Sequence, residues 1–233
     1  MIYCTSDIHG DYSKYKNLLQ MINLSSDDLL IVLGDTLDRG NHSSSILFDM
    51  MQRENIIPLV GNHDFVGAFC LRRLSEEITN ESLENLDADT LEVILEWMKD
   101  GGDATLKDFY RLSKEQKDDI LDYLDEFELY KEVHVGGKHY ILVHAGLGNF
   151  SPEKSLEDYS LEDLAFCRTD YSKSLFQDKI LVTGHTPTAL IPENLRPGYI
   201  YRGHNHIAID CGCGFGGKLG AICLDTDEEF YVE

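Results

Sequence analysis

The chain is predicted to adopt an α/β fold in which two mixed β-sheets pack as a sandwich flanked by helices. Three observations carry that expectation. Strand-length apolar runs alternate with helix-period segments through the opening third, an acidic middle reads as helical, and short strands return in the final third. Runs such as Leu29-Leu30-Ile31-Val32-Leu33 are apolar throughout, as strands covered on both faces are.

Taken in order, Ile2-Tyr3-Cys4 reads as a strand and the segment from Tyr12 to Ile22 as a helix. Leu29 to Leu33 is a second strand, followed by a helix through Ile46, Leu47 and Met50, and Ile56 to Val60 is a third strand. This alternation implies parallel pairing, with functional loops at the carboxyl ends of the strands. In the middle, Leu91, Ile94, Leu95 and Met98 recur at i, i+3, i+4 and i+7, which places them on one helix face. Gly101-Gly102 interrupts the helical pattern, and Ser113 with Gln116 forms a capping box ahead of Ile120, Leu121 and Leu124. The stretch from about residue 65 to 130 is therefore expected to be a helical acidic insertion within a single domain spanning 1–233, covering the core and forming one wall of a cleft. Gly136-Gly137 signals a hairpin between Val133–Val135 and Tyr140–Val143. Further strands are expected at Ile180–Val182, Tyr199–Tyr201, Ile207–Ile209, Ala221–Leu224 and Phe230–Val232.

At 233 residues the chain can bury a substantial core. Its formal net charge is −22, which opposes attraction to a phosphate backbone and argues against nucleic acid as a partner. From Glu76 to Glu128 there are 18 acidic and five basic residues, expected to form a solvated helical face, or alternatively a surface that repels polyanions or attracts basic segments of a partner. No N-terminal run has the length and basic flank of a signal peptide, and none is long enough to span a bilayer. No membrane association and a cytoplasmic location are expected. Cys4, Cys70, Cys167, Cys211, Cys213 and Cys223 lack disulfide-framework spacing and read as structural thiols. Cys211-Gly-Cys213 has no second Cys pair to complete a soft metal site.

Five polar clusters each follow a stretch rich in Ile, Leu and Val: Ser6-Asp7-Ile8-His9-Gly10, Gly34-Asp35-Thr36-Leu37-Asp38-Arg39-Gly40, Gly61-Asn62-His63-Asp64, His144-Ala145-Gly146 and Gly184-His185-Thr186. A single Asp after a strand is usually a turn or helix cap, and a single buried His a hydrogen-bonded core residue. Five clusters together supply Asp, His and Asn in the mixture that suits two divalent cations. Phosphate ester hydrolysis needs a nucleophile at neutral pH and positive charge around the reacting oxygens, and two cations about 3.5–4 Å apart meet both needs. Asp7 and His9, two residues apart, can turn toward one ion. Asp35 is the natural bridge, and Asn62, His144 and His185 serve the second ion. His42, His134, His139, His204 and His206 lack comparable support. The late glycines Gly212, Gly214, Gly216 and Gly217 are not followed by the Lys-Ser/Thr of a P-loop and read as a tight strand connection.

In these clusters the sequence resembles the phosphoprotein phosphatase family of the calcineurin-like metallophosphoesterases, and its compact bacterial and phage members in particular. The likeness runs from Asp7 to the segment Ile209-Asp210-Cys211-Gly212-Cys213-Gly214-Phe215-Gly216-Gly217-Lys218-Leu219. It implies the calcineurin-like metallophosphoesterase fold, one metal on Asp7, His9 and Asp35, and a second on Asp35, Asn62, His144 and His185. It implies His63 as general acid oriented by Asp38, with Arg39 and Arg168 binding the substrate phosphate. The implied cofactors are two divalent ions, manganese foremost, with iron or zinc as alternatives. Ser6, Asp64 and Ala145 depart from the residues usual in those motifs, and none of them removes a ligand.

The expected function is phosphomonoester hydrolysis, with phosphoserine or phosphothreonine in a protein or peptide as first substrate and small phosphate esters also accepted. The alternative is symmetrical hydrolysis of diadenosine tetraphosphate, which calls for an apolar or aromatic nucleobase pocket that the sequence does not locate. A non-catalytic phosphate-sensing module would be marked by loss of a ligand or of His63, and none is lost.

Overall fold

In the computed structural model, which describes residues 1–75 and 88–233, the apolar runs of the opening third are parallel strands buried on both faces. β1 (Ile2–Thr5), β2 (Leu29–Val32) and β3 (Ile56–Pro58) form one edge of a sheet that β9 (Leu219–Cys223) and β10 (Glu229–Val232) extend with antiparallel pairing, in the order β10-β9-β1-β2-β3. The second sheet contains β4 (Tyr130–Val135), β5 (Lys138–Val143), β6 (Lys179–Thr183), β7 (Tyr201–Gly203) and β8 (His206–Ala208), in the order β4-β5-β6-β8-β7. Here β5, β6 and β8 run parallel while β4 and β7 are antiparallel. The fold is the predicted pair of mixed sheets.

Alternation along each strand divides its side chains between two cores. Cys4 and Ile31 pack with Tyr140, Leu142, Val182 and Ile207 in the layer between the sheets. Tyr3, Leu30 and Val32 face the other way, onto Tyr15, Leu18 and Leu19 of α1 (Tyr12–Met21) and Ile46 and Met50 of α2 (Ser43–Met51). On the far side of the second sheet, Ile141, Val143 and Leu181 meet Tyr159 and the Leu164 of α7 (Leu161–Ala165). Truncating a fully buried leucine in the inter-sheet layer, such as Leu142, to alanine would cost about 2–5 kcal/mol.

The middle of the chain supplies α3 (Asn62–Ser75), α4 (Ala88–Trp97), α5 (Asp103–Phe109) and α6 (Lys114–Asp125), which share a core of their own with Leu37 and Leu47. Ser113 and Gln116 make the expected capping box at the start of α6, with bonds of 3.2 and 3.0 Å. Two expectations shift. The buried stripe of α4 runs through Ile94 and Trp97, leaving Leu91 and Leu95 exposed, because the large indole fills the core beside Leu37 and Cys70. The strand expected at Tyr199–Tyr201 lies at Tyr201–Gly203, because His204 and Asn205, with φ of 52° and 54°, form the two-residue turn into β8. The part of the acidic run at 76–87 lies outside the described residues. All six cysteines are free, and among the described residues no helix is long and apolar enough to cross a membrane.

Candidate active site

The carboxyl ends of β1, β2, β3, β5 and β6 lead directly into the five polar clusters, so the topology gathers Asp7, His9, Asp35, Asn62, His144 and His185. Asp7, His9, Asp35, Asp38, Arg39 and His185 all have positive φ. Left-handed backbone at non-glycine residues costs about 1–3 kcal/mol each and persists only where the surroundings hold it. Backbone bonds from Asp7 to Gly34 (3.0 Å), from His9 to Asp35 (2.9 Å) and from Gly40 to His9 (2.9 Å) tie the first two loops together. The fully buried carboxylate of Asp64 accepts N–H bonds from Asp35 (2.7 Å), Thr36 (2.9 Å), Leu37 (3.1 Å) and Gly61 (3.1 Å). Gly61 has no Cβ because one would overlap the Asp35 carboxylate.

Two clusters of metal-ligating atoms share Asp35: His9, Asp35 and His63 form one, and Asp35, His144 and His185 the other, with the donor atoms of each within 4.8 Å of one another. His9 Nδ1 donates to Leu37 O (2.8 Å) and His144 Nδ1 to Leu33 O (2.6 Å), which turns both Nε2 lone pairs inward. His9 Nε2 lies 3.6 Å from Asp35 Oδ2 and 4.0 Å from Asp7 Oδ1. His144 Nε2 is 3.4 Å from Asp35 Oδ1, 3.0 Å from Asn62 Oδ1 and 3.2 Å from His185 Nδ1, which is itself 2.8 Å from Asn62 Oδ1. Such a convergence of oxygen and imidazole acceptors at buried carboxylates fits divalent cations.

The charge balance agrees with that fit. Burial and the neighbouring Asp35 push the Asp7 carboxyl up to about 6. Burial opposes ionisation of Asp35 too, but His144, His63 and His9 hold it well below the ordinary range. Burial pushes His9 and His185 down to about 3, leaving neutral rings, the form that ligates metals. Burial also works against a charged His144, yet Asp35 and Asp7 raise it to about 10: the field that draws a proton there draws any cation.

His63, a member of the first cluster, has further partners outside it. Its Nδ1 meets Asp38 Oδ2 at 2.7 Å, and its Nε2 accepts from Arg39 Nη2 at 2.9 Å. Burial lowers the His63 pKa, but the Asp38 hydrogen bond and the Asp35 charge outweigh it, and the ring titrates above its ordinary value. Arg39 also donates to His9 Nε2 at 2.7 Å, so its guanidinium spans the first ligand cluster and His63. Arg168 donates to Thr186 Oγ1 at 3.2 Å on the opposite lip. The structure thus brings all ten expected residues to one place.

That place is the floor of a cavity of about 790 Å³, lined by Asp7, Asp35, Arg39, Asn62, His63, Arg168 and His185. Its lining also carries apolar side chains, Pro187, Ala189, Leu190 and Phe215, with Leu190 and Phe215 respectively 71% and 69% exposed. The Phe215 ring lies 4.2 Å from the Arg39 guanidinium carbon. It is carried by a 3₁₀ turn between left-handed Gly212 and Gly216, so the late glycines connect strands as expected and also aim this ring at the cleft. Asp100 enters from the turn after α4, 3.4 Å from Arg39 Nη2 and 3.6 Å from His63 Nε2. Asp64, Asp100 and Phe215 were not among the expected site residues. An acidic residue two positions after Asn62 was the available signal for Asp64; Phe215 had none beyond its glycine-rich setting.

A profile of the calcineurin-like phosphoesterase family matches residues 1–208. The chain belongs to that family of metal-dependent phosphoric ester hydrolases. It is 32% identical over 161 residues to a symmetrical bis(5'-nucleosyl)-tetraphosphatase of Acidovorax ebreus (strain TPSY), a match covering 66% of the chain but only 47%, about half, of that relative. It is 24% identical to the enzyme of the same name from Nitrosospira multiformis, with all of the chain and 95% of the relative aligned. The crystal structure of a candidate diadenosine tetraphosphatase shares the fold with a TM-score of 0.66 at 16% identity, covering 99% of this chain and 92% of that one.

Proposed function

We propose that the protein is a symmetrical dinucleoside tetraphosphatase, the alternative raised by the sequence rather than its first expectation of a protein serine/threonine phosphatase. The observation that carries this reading is the exposed apolar lining of the cleft beside its polar cluster. Phe215 and Leu190 stand open to solvent in the wall of a cavity whose floor is acidic and imidazole-rich. Such surface is costly unless something covers it, and a nucleobase stacking on an aromatic ring gains about 1–3 kcal/mol. The relatives named as symmetrical tetraphosphatases support the same choice.

In this reading Asp7, His9 and Asp35 hold one divalent cation, and Asp35, Asn62, His144 and His185 hold the other. When bound, the pair supplies positive charge around the scissile phosphate and lowers the pKa of an attacking water. Arg39 and Arg168 bind the phosphoryl oxygens, for which the planar guanidinium fork is suited. His63, held through Nδ1 by Asp38, delivers a proton from Nε2 to the departing oxygen when the ring is protonated there and Arg39 has left that nitrogen for the phosphate. A nucleoside diphosphate leaves as a weakly basic phosphate oxygen, so this proton matters less there than for an alkyl ester. With every ligand and His63 in place, no mark of a non-catalytic phosphate sensor is found.

One observation favours phosphopeptides instead. Glu96 and Asp100 sit together beside His63 in an acidic recess that suits a basic leaving group better than an anionic one. Product analysis separates the readings. Diadenosine tetraphosphate incubated with enzyme and manganese should give ADP alone. ATP with AMP would overturn the symmetrical assignment, and no turnover would overturn the dinucleotide reading.

A further inference from the structure

The carboxylate of Asp38 is 0% exposed, and its partners come from the helical insertion as well as from His63. Trp97, the last residue of α4, points its indole Nε1–H at both Asp38 oxygens, 3.1 Å from Oδ1 and 2.9 Å from Oδ2. Thr105, in α5, donates from its hydroxyl to Asp38 Oδ1 at 2.7 Å and accepts the Asp38 backbone N–H at 2.8 Å. Asp38 therefore receives Trp97 and Thr105 on one side and His63 on the other, with its main chain locked by the same Thr105. Both donors are 3% exposed, so no water competes for these bonds.

The turn between α4 and α5 is shaped to deliver them. Gly101 has φ of 105°, and its carbonyl accepts the Arg39 N–H at 3.0 Å. A Cβ there would lie 2.6 Å from Arg39 Cγ, so only glycine lets the turn approach this closely. Gly102 packs flat against the Trp97 indole, where a Cβ would enter the ring.

We infer that Trp97 and Thr105 are positioning residues for the proton-delivering histidine, acting through Asp38. This rests on the reading of His63 as general acid. A carboxylate that orients an imidazole must itself be held in one rotamer. Two directed donors from a second structural unit do that, as outer hydrogen-bond partners do for metal-ligating histidines. The helical middle of the chain is thereby part of the acid half of the site as well as packing on the core at Leu37 and Leu47.

The test compares Trp97→Phe, Thr105→Val, Thr105→Ser and His63→Asn, with manganese, on a phosphoserine peptide and on 4-nitrophenyl phosphate. Trp97→Phe keeps an aromatic ring and Thr105→Val keeps the volume, while each removes the donor. Both should lower kcat on the peptide by roughly 10–100-fold, the usual cost of losing an outer-shell partner, with KM little changed. The loss should be smaller on the nitrophenyl ester, whose leaving group scarcely needs a proton, and Thr105→Ser should restore activity. In a His63→Asn background, Trp97→Phe should add no further loss. A Trp97→Phe enzyme matching the parent while His63→Asn is impaired overturns this inference alone. A loss equal on both substrates and persisting without His63 overturns it as well, by marking a purely structural role. His63→Asn with parental activity overturns the acid reading itself.

Because Trp97 is the only tryptophan in the chain, its indole N–H gives a single NMR resonance. That resonance should move on Asp38→Asn; its failure to move would contradict the contact. If Trp97→Phe does not fold, the Thr105 pair and this resonance decide the question.

Discussion

Replacing Phe215 with alanine should separate dinucleotide hydrolysis from simple phosphoester hydrolysis. The ring is 69% exposed, so its removal leaves no cavity in the core and the fold should persist. The ring packs on Arg39, with the guanidinium carbon 4.2 Å from the ring centroid. A cation–π contact at such an exposed site contributes about 0.5–1 kcal/mol. Losing it frees the phosphate-binding arginine and should weaken every substrate alike, by up to about fivefold. Stacking of a nucleobase is worth a further 1–3 kcal/mol or so, and only a nucleotide loses it. At about 1.4 kcal/mol per factor of ten, the dinucleotide should lose roughly 5–150-fold more in kcat/KM than a phosphoserine peptide does. The assay is kcat and KM for both substrates in parent and variant, with most of the differential expected in KM. An equal loss on the two substrates would remove Phe215 from any base subsite and withdraw the observation on which the dinucleotide assignment rests.

Three other outcomes are expected. Chelation should abolish turnover and manganese restore it, with elemental analysis confirming metal loss; full activity in metal-free protein would contradict the account. Asp35→Asn should weaken binding of both cations, since both donor clusters use Asp35, and near-parental binding of two ions per chain would remove it from the shared position. Stability should fall on acidification through His206, which stacks on Tyr171 and which burial pushes down to about 3. Its folded pKa lies below its unfolded value of about 6.5, so its contribution is intact above pH 6.5 and is lost as the pH falls from there toward 3, with a slope of up to about 1.4 kcal/mol per unit. Urea titrations across that window should show a shallower slope for His206→Gln, and an unchanged slope would exclude His206 as a source.

The strands and the convergent polar loops after them were legible because each motif pairs two signals that agree. An apolar run fixes a buried strand, and the Asp, His or Asn after it has no role in that core. The capping box of α6 was legible for the same reason: Ser113 and Gln116 satisfy each other within one turn. The buried face of α4 was not. Leu91-Ile94-Leu95-Met98 and Ile94-Trp97-Met98 are overlapping stripes of the same period, and the choice between them is made by Leu37 and Cys70, distant in sequence. The same holds for the apolar lining of the cleft. Phe215 sits 176 positions after Arg39 and reaches it only because two left-handed glycines turn the chain back between β8 and β9. Trp97 illustrates a signal present but unused, since a buried indole N–H needs an acceptor and Asp38 supplies it here.

The measurement that bears most directly on the central claim is kcat/KM for diadenosine tetraphosphate against a phosphoserine peptide with basic flanks, each at low and high ionic strength with manganese. Glu96 and Asp100 repel the anionic dinucleotide, and salt should relieve that repulsion, so its rate should rise relative to the peptide as ionic strength increases. The dinucleotide should be preferred at both salt concentrations, because base stacking and the two arginines outweigh a screened surface field. A peptide preference at both would contradict it and reinstate the protein phosphatase reading.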